Sequence, residues 1–211
     1  MDSKEAATSI LLFLDFLKKN KLNFKKLKGI EMGCGKGRNV TFLAKHEIEM
    51  TGLDFSPFAI TEAIKRAKKD KIDSKTHFLI HDVIKTWPFE SSNFDFAIDC
   101  FATTDIESPR DRKFAVAEMI RMLKPKGYIL VYVMSTDDEF HQQMLKESPA
   151  KEKNAFLHPT TGKFEKVFDR DELLELYSGL KLIEEKRIKK ATSFFGREYV
   201  YNNYWMIFQK Y

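Results

Sequence analysis

Three glycines at alternate positions, Gly33, Gly35 and Gly37, follow a short apolar run and precede a segment with helical spacing. Glycine has no Cβ, so a turn built this way lets a ligand lie directly against the backbone. One acid, Glu31, stands at the mouth of the turn. It would repel a phosphate and attract a cation. A second acid, Asp54, ends the next apolar run about twenty residues on, where a carboxylate accepts hydrogen bonds from ribose hydroxyls. A third, Asp82, follows the third run and is placed to accept from an exocyclic amine of a base; the fourth run ends in Asp99-Cys100-Phe101. The set describes a site for a nucleoside-like ligand that carries hydroxyls and a positive charge.

These residues act together only if strands deliver them to one edge. Runs at Gly29–Met32, Glu49–Leu53, Thr76–Ile80, Phe94–Asp99 and Tyr128–Met134 read as five strands. Helices are expected over Asn39–Lys45, from a Ser56-Pro57 cap to Lys69, and from a Ser108-Pro109 cap to Leu123. An amphipathic helix over Ser3–Lys19, with Ile10, Phe13, Leu14 and Leu17 on one face, precedes the first strand and is expected to form a lid. Ser135–Phe168 shows little periodicity beyond one short helix near Glu139–Lys146. Asp169–Glu172 has the pattern of a capping box, opening a helix that Gly179 ends. Two closing strands, Leu180–Lys189 and Tyr199–Gln209, have no helix between them, so they should pair as an antiparallel hairpin turning near Phe195-Gly196.

Alternation of strands one to five with helices predicts right-handed crossovers and a parallel sheet. The almost wholly apolar run Tyr128–Val133 fits burial on both faces. The expected fold is α/β: a Rossmann-like, doubly wound, seven-stranded sheet, parallel except for an antiparallel strand of the C-terminal hairpin. Ligands of such sheets bind beyond the carboxyl ends of the strands, at the topological switch point. Glu31, Asp54, Asp82 and Cys100 all stand at such ends.

With those motifs in order, the chain resembles the class I S-adenosylmethionine-dependent methyltransferases. Glu31-Met32-Gly33-Cys34-Gly35-Lys36-Gly37 is similar to that family's glycine-rich first motif, Gly52-Leu53-Asp54-Phe55-Ser56-Pro57 to its second and Ile80-His81-Asp82-Val83 to its third. Phe94–Cys100 resembles the strand-four motif, and Leu123–Val131 the entry to strand five. The resemblance is strong over Gly29–Met134 and implies S-adenosyl-L-methionine as cofactor, with S-adenosyl-L-homocysteine as product. It implies that Gly33, Cys34 and Gly35 line the methionine part, with Glu31 near its ammonium through water. By the same resemblance Asp54 would hold the ribose, Phe55 would pack on adenine, Asp82 and Val83 would read the adenine edge, and the Cys100 carbonyl would accept from the ammonium.

Methyl transfer is an in-line displacement at an activated carbon, so alignment dominates and a general base is needed only where the acceptor must lose a proton. No catalytic residue is singled out. Asp105, His141 and His158 are candidates beside the acceptor, although Asp105 equally suits a helix cap and His158 an exposed turn. Cys34 and Cys100, unpartnered in apolar segments, read as small buried hydrophobes rather than nucleophiles, and no metal-ligand spacing is present.

At 211 residues the chain suits one domain: 1–28 as helix and connector, 29–134 as cofactor core, 135–168 as acceptor segment, and 169–211 as closing helix and hairpin. Its longest apolar runs are far too short for a bilayer, which needs about 20 residues. The N-terminus lacks a signal-peptide layout and the cysteines suit a reducing compartment, so a cytoplasmic location is expected. The net charge of +5 raises the question of nucleic acid. Its main lysine clusters, 18–28 and 65–71, fall at the sheet end opposite the cofactor. The Asn/Asp-Pro-Pro-aromatic motif of base methylation is also missing after strand four. A small-molecule acceptor is therefore expected, such as a metabolite, a thiol or a chalcogen oxyanion; oligomeric state is not encoded legibly. Two other readings stay open. An NAD-dependent oxidoreductase would share the strand–glycine–helix unit but calls for Gly-x-Gly-x-x-Gly, and a non-catalytic partner subunit would keep the pocket without turnover.

Overall fold

The computed structural model describes residues 8–194 and 196–211. The expected helix start at Ser3 and the turn residue Phe195 lie outside the described residues, as does any side-chain packing of Phe194 and Phe195. Helix α1 covers Thr8–Lys19. Strand β1 is Lys28–Met32, followed by α2 at Arg38–Ala44, β2 at Glu49–Asp54, α3 at Pro57–Lys69 and β3 at Thr76–Ile80. Then come β4 at Phe94–Cys100, α4 at Ala102–Asp105, α5 at Pro109–Met122 and β5 at Leu123–Val133. Helix α6, Glu139–Glu147, leads into β6 at Ala155–Leu157 and β7 at Phe164–Lys166. Helix α7 at Arg170–Leu176 precedes β8, Lys181–Phe194, and β9, Arg197–Gln209.

The main sheet has the order β3-β2-β1-β4-β5-β9-β8. All pairs are parallel up to β4–β5, and β9 runs antiparallel to both β5 and β8. The expected seven-stranded, Rossmann-like arrangement is the one observed. Chain order reverses between β1 and β4, so the crevice beyond their carboxyl ends is the switch point. Apolar layers fill both faces: α1, α2 and α3 pack one side through Phe13, Leu43 and Ile60, and α5 and α7 pack the other through Met119 and Leu173.

Three expectations change. No helix joins β3 to β4; turns carry the chain across, anchored by Trp87, which is 2 % exposed and donates Nε1–H to the Val83 carbonyl at 3.0 Å. The described part of the N-terminal helix is core rather than lid, because its apolar face is fully used against the sheet: Ile10, Phe13 and Leu17 are wholly buried, and the Trp205 indole donates to the Ser9 carbonyl at 2.9 Å. Within 135–168 the expected helix is present as α6, but β6 and β7 also form an antiparallel ribbon that the sequence did not announce.

Candidate active site

The glycine turn is held by its neighbours. The Gly35 amide donates to Asp54 Oδ2 at 2.8 Å and the Cys34 amide to the Leu53 carbonyl at 2.9 Å, which pins the turn to the end of β2. Gly33 has φ +64°, and a Cβ there would lie 2.9 Å from the Ala102 Cβ, so backbone sign and space both demand glycine. Gly35, at φ +53°, has nothing within 4 Å of where a Cβ would stand, leaving its outer face open.

Glu31 is 2 % exposed. One carboxylate oxygen accepts from Asn39 Nδ2 at 2.6 Å; the other is buried with no hydrogen-bond partner. Burial pushes its pKa up to about 8, Asp54 adds to the rise, and the Asn39 hydrogen bond and the Arg38 charge only partly oppose it. Such an oxygen is costly to leave unmatched. A cationic group brought near it would remove that cost.

Asp54 faces the crevice with both oxygens already turned to the backbone, Oδ1 accepting from the Ser56 amide at 2.9 Å. Each carboxylate oxygen has a second lone pair, so the group is fixed in place and still able to accept from hydroxyls. Asp82 ends the chain segment beyond β3, its Oδ1 accepting from the Ile84 amide at 3.3 Å. An open cleft of about 810 Å³ joins these groups. Gly33, Asp54, Phe55, Asp82, Val83, Cys100 and Asp105 all line it, together with Phe101, Ala102 and residues of 106–111, Lys151, Glu152 and Phe164. Glu31 lies just behind this wall. Cys34 is 8 % exposed, with its sulfur packed towards Gly52, so of this residue only the backbone belongs to the turn's ligand face.

Both thiols are raised. Burial and the Glu31 charge push Cys34 far above the ordinary range, and burial with Glu31 and Asp99 pushes Cys100 up to about 12. Neither is a nucleophile near neutral pH.

Around Asp99 and Asp105, both visible in the sequence, stand partners that it did not mark: Arg112, Glu152, Lys163 and Tyr177. Asp99 is wholly buried; it accepts from the Thr103 amide at 3.1 Å, from the Thr103 hydroxyl and from Tyr177 OH at 2.8 Å. Burial raises its pKa in spite of these donors. The network fixes the sharp bend from β4 into α4, where Phe101 takes a left-handed φ of 66°, a strained conformation for a bulky side chain. Arg112, 4 % exposed, donates to the Thr103 and Ile106 carbonyls and makes a two-pronged pair with Glu152 at 2.8 and 2.9 Å. Only its place near the start of a capped helix hinted at this. Asp105 pairs with Lys163 at 2.6 Å, tying α4 to the β6–β7 turn.

His141 and His158 do not line the main cleft. They meet in a second cavity of about 190 Å³ with Phe101, Met134, Phe140, Glu165, Tyr201 and Asn203. Phe101 belongs to both cavities. Among the described residues no group of three or more His, Cys, Asp or Glu converges as a metal site requires.

Residues 23–189 match the family described as methyltransferase domain, which is most of the chain. The chain belongs to that family. The fold of this methyltransferase is shared with a SAM-dependent methyltransferase from Methanosarcina mazei, 23 % identical, covering 92 % of this chain and 96 % of that one with a TM-score of 0.79. A protein from Pyrococcus horikoshii is 19 % identical over 97 % of this chain and 92 % of its own, TM-score 0.72. TehB from Haemophilus influenzae is 18 % identical over 98 % of this chain and 63 % of its own, TM-score 0.70. In sequence, an uncharacterised protein of Haemophilus influenzae is 29 % identical over 135 residues, 64 % of this chain. The chain spans about half the length of that relative, 53 %.

The cofactor that goes with a methyltransferase domain of this class is S-adenosylmethionine, and the site fits it. The unmatched Glu31 oxygen suits its cationic end, Asp54 its ribose, and the Asp82–Val83 segment its base. A pyrophosphate would instead meet Glu31 and Asp54 at close quarters. Among the described residues no helix is long and apolar enough to cross a membrane.

Proposed function

We propose that this methyltransferase moves a methyl group to a small-molecule acceptor by in-line displacement. The observation that carries the proposal is the charge of the cleft: Asp54, Asp82, Asp105, Glu107, Asp111 and Glu152 line it against Lys151, and of these Asp105 is paired with Lys163 and Glu152 with Arg112, although the whole chain is net positive. An acidic cleft favours a cationic donor and opposes a nucleic-acid backbone. S-adenosylmethionine supplies a methyl group on a sulfonium centre, an already activated carbon. The chain's part is to hold and align. Gly33, Gly35 and the Cys100 carbonyl would bound the methionine end, with Cys34 contributing backbone only. Glu31 would stabilise the ammonium, Asp54 would grip the ribose, and Phe55, 76 % exposed on the rim, would cover the adenine read by Asp82 and Val83.

The basic clusters support the same acceptor class. Lys28 pairs with Glu49 where β1 and β2 begin, at the sheet end away from the cleft, and Lys65 pairs with Glu62 along α3. A polyanion bound there could not present a base to the donor. The test is an acceptor screen over hydroxyaryl compounds, thiols, amines, carboxylates and tellurite, read as S-adenosylhomocysteine formation. Turnover with a small molecule and none with DNA or RNA is the expected outcome; turnover only with a nucleic acid or a protein would refute it.

A further inference from the structure

The second cavity contains a dyad that the donor site does not use. Asp138 is the N-cap of α6, its Oδ1 accepting from the His141 amide at 2.9 Å. Its Oδ2 lies 2.8 Å from His141 Nδ1, and the Ser135 carbonyl lies 3.0 Å from the same nitrogen. Both neighbours are pure acceptors, so Nδ1 carries the hydrogen. In the neutral ring Nε2 is then the nitrogen with the lone pair, and His141 is a wall residue of the cavity. The ring is 1 % exposed and stacks on Tyr201 with centroids 5.3 Å apart. Burial pushes the Asp138 carboxyl up, but the His141 hydrogen bond and charge and the His141 and Asn202 amides outweigh it, leaving the group below its ordinary value and ionised.

A second observation points to a ligand in the same place. Asn203, 6 % exposed, lines the cavity and donates Nδ2–H to Tyr132 OH at 3.1 Å, while its Oδ1 is buried without a partner. A buried amide oxygen left unmatched asks for a donor. The other lining residues are Phe101, Met134, Phe140, His158, Glu165 and Tyr201. At about 190 Å³ the cavity exceeds the roughly 150 Å³ that holds benzene in an apolar core. One aromatic ring with a hydroxyl fits that space and those walls.

We propose that this cavity is the acceptor site, that it takes a small hydroxyaryl compound, and that His141 is the general base with Asp138 positioning it. The proposal rests on the methyltransferase reading above and names that site's substrate class. Phe101 lines both cavities, so the acceptor cavity adjoins the donor cleft across one side chain. In the step, the acceptor O–H bond breaks and its proton goes to His141 Nε2. The oxygen lone pair forms the new bond to the methyl carbon, and the carbon–sulfur pair stays on sulfur. The products are a methyl ether and S-adenosylhomocysteine, and the imidazolium, paired with Asp138, returns its proton to solvent. A neutral amine needs no such base, whereas a hydroxyl must lose its proton. The other charged or titratable groups facing the ring are Glu165, His158 and Tyr201, with Arg187 and Asp137 behind Ser135.

The test uses para-nitrophenol as probe and protein saturated with S-adenosylhomocysteine, read by the phenolate absorbance. Bound probe is expected to ionise at least one pH unit lower than free probe. His141→Gln should abolish that shift and cut methylation of hydroxyaryl acceptors by about 10²–10⁴-fold, while its affinity for S-adenosylhomocysteine stays as in the wild type. Asp138→Asn keeps a capping side chain and should lose most of the shift, so it decides the matter if the histidine variant fails to fold. An unchanged ionisation shift in the variants, or no probe binding to protein that binds S-adenosylhomocysteine, would overturn the acceptor proposal alone. Failure of the wild type to bind S-adenosylhomocysteine would overturn the donor reading and this proposal with it.

Discussion

Replacing Glu31 by Gln should erase a pH dependence that the wild type's donor site must show. With a pKa of about 8 in the ligand-free protein, only about a tenth of Glu31 is ionised at pH 7 and about a hundredth at pH 6. A cationic ligand selects the ionised form, and apparent affinity scales with the fraction competent to bind. The dissociation constant for S-adenosylhomocysteine should therefore fall about tenfold from pH 6 to pH 7 and continue down towards pH 8. Above about pH 8 the gain levels off as Glu31 becomes fully ionised, and at higher pH still the ligand's own α-amino group loses its charge. Below pH 7 that amine is fully charged, and the slope there belongs to Glu31. Calorimetry at pH 7 in buffers of different ionisation enthalpy should give roughly 0.9 proton released per ligand bound, following that ionised fraction. Glu31→Gln should bind about as well as wild type at pH 6, at least tenfold worse at pH 8, and release no proton. A flat wild-type slope, or proton release that survives in Glu31→Gln, would refute the reasoning. The same group predicts stability. Its folded pKa lies above its unfolded value, so its favourable contribution is full below about pH 4.5 and is lost as pH rises towards 8. Each pH unit across that window is worth up to about 1.4 kcal/mol, and Glu31→Gln should escape the loss in ligand-free urea melts.

Gly33→Ala forces a side chain onto a left-handed residue and into the Ala102 Cβ; it should destabilise the protein by about 1–3 kcal/mol in urea unfolding and weaken donor binding. Tyr177→Phe removes one of the donors that hold buried Asp99; a loss of about 1–3 kcal/mol is expected, with S-adenosylhomocysteine affinity falling because the Cys100–Phe101 bend loosens. Cys34 and Cys100, both raised by burial, should resist a thiol-reactive dye in the native protein and react within seconds once it is denatured. Fast native reaction of Cys34 would contradict its burial.

The cleft was legible because its acids are tied to strand ends. Asp54 and Asp82 follow apolar runs and line the crevice, with Glu31 near the end of β1 behind it, because the fold brings successive strand ends together. Two features escaped for physical reasons. The β6–β7 ribbon uses strands of three residues, too short for a period of two to register. The Asp99–Thr103–Tyr177 network joins positions 78 apart in sequence, and nothing local at Tyr177 marks it as more than a helix-end aromatic. His141 and His158 were visible as types only. Their meeting with Asn203 in one cavity depends on β9 returning beside β5, a tertiary fact without a local signal. The same packing corrected the lid: a fully apolar helix face predicts burial somewhere, and the sheet claimed it.

The cleft beyond β1, β2 and β4 is proposed to bind an adenosyl amino acid through Asp54. Calorimetric titration with S-adenosylhomocysteine, wild type against Asp54→Ala, tests this most directly. Hydrogen bonds to a charged group are worth about 1.5–3 kcal/mol, so the expected result is saturable binding to the wild type, at least tenfold weaker binding to the variant, and no comparable heat from NAD. A silent wild-type titration, or one that Asp54→Ala leaves unchanged, would contradict it.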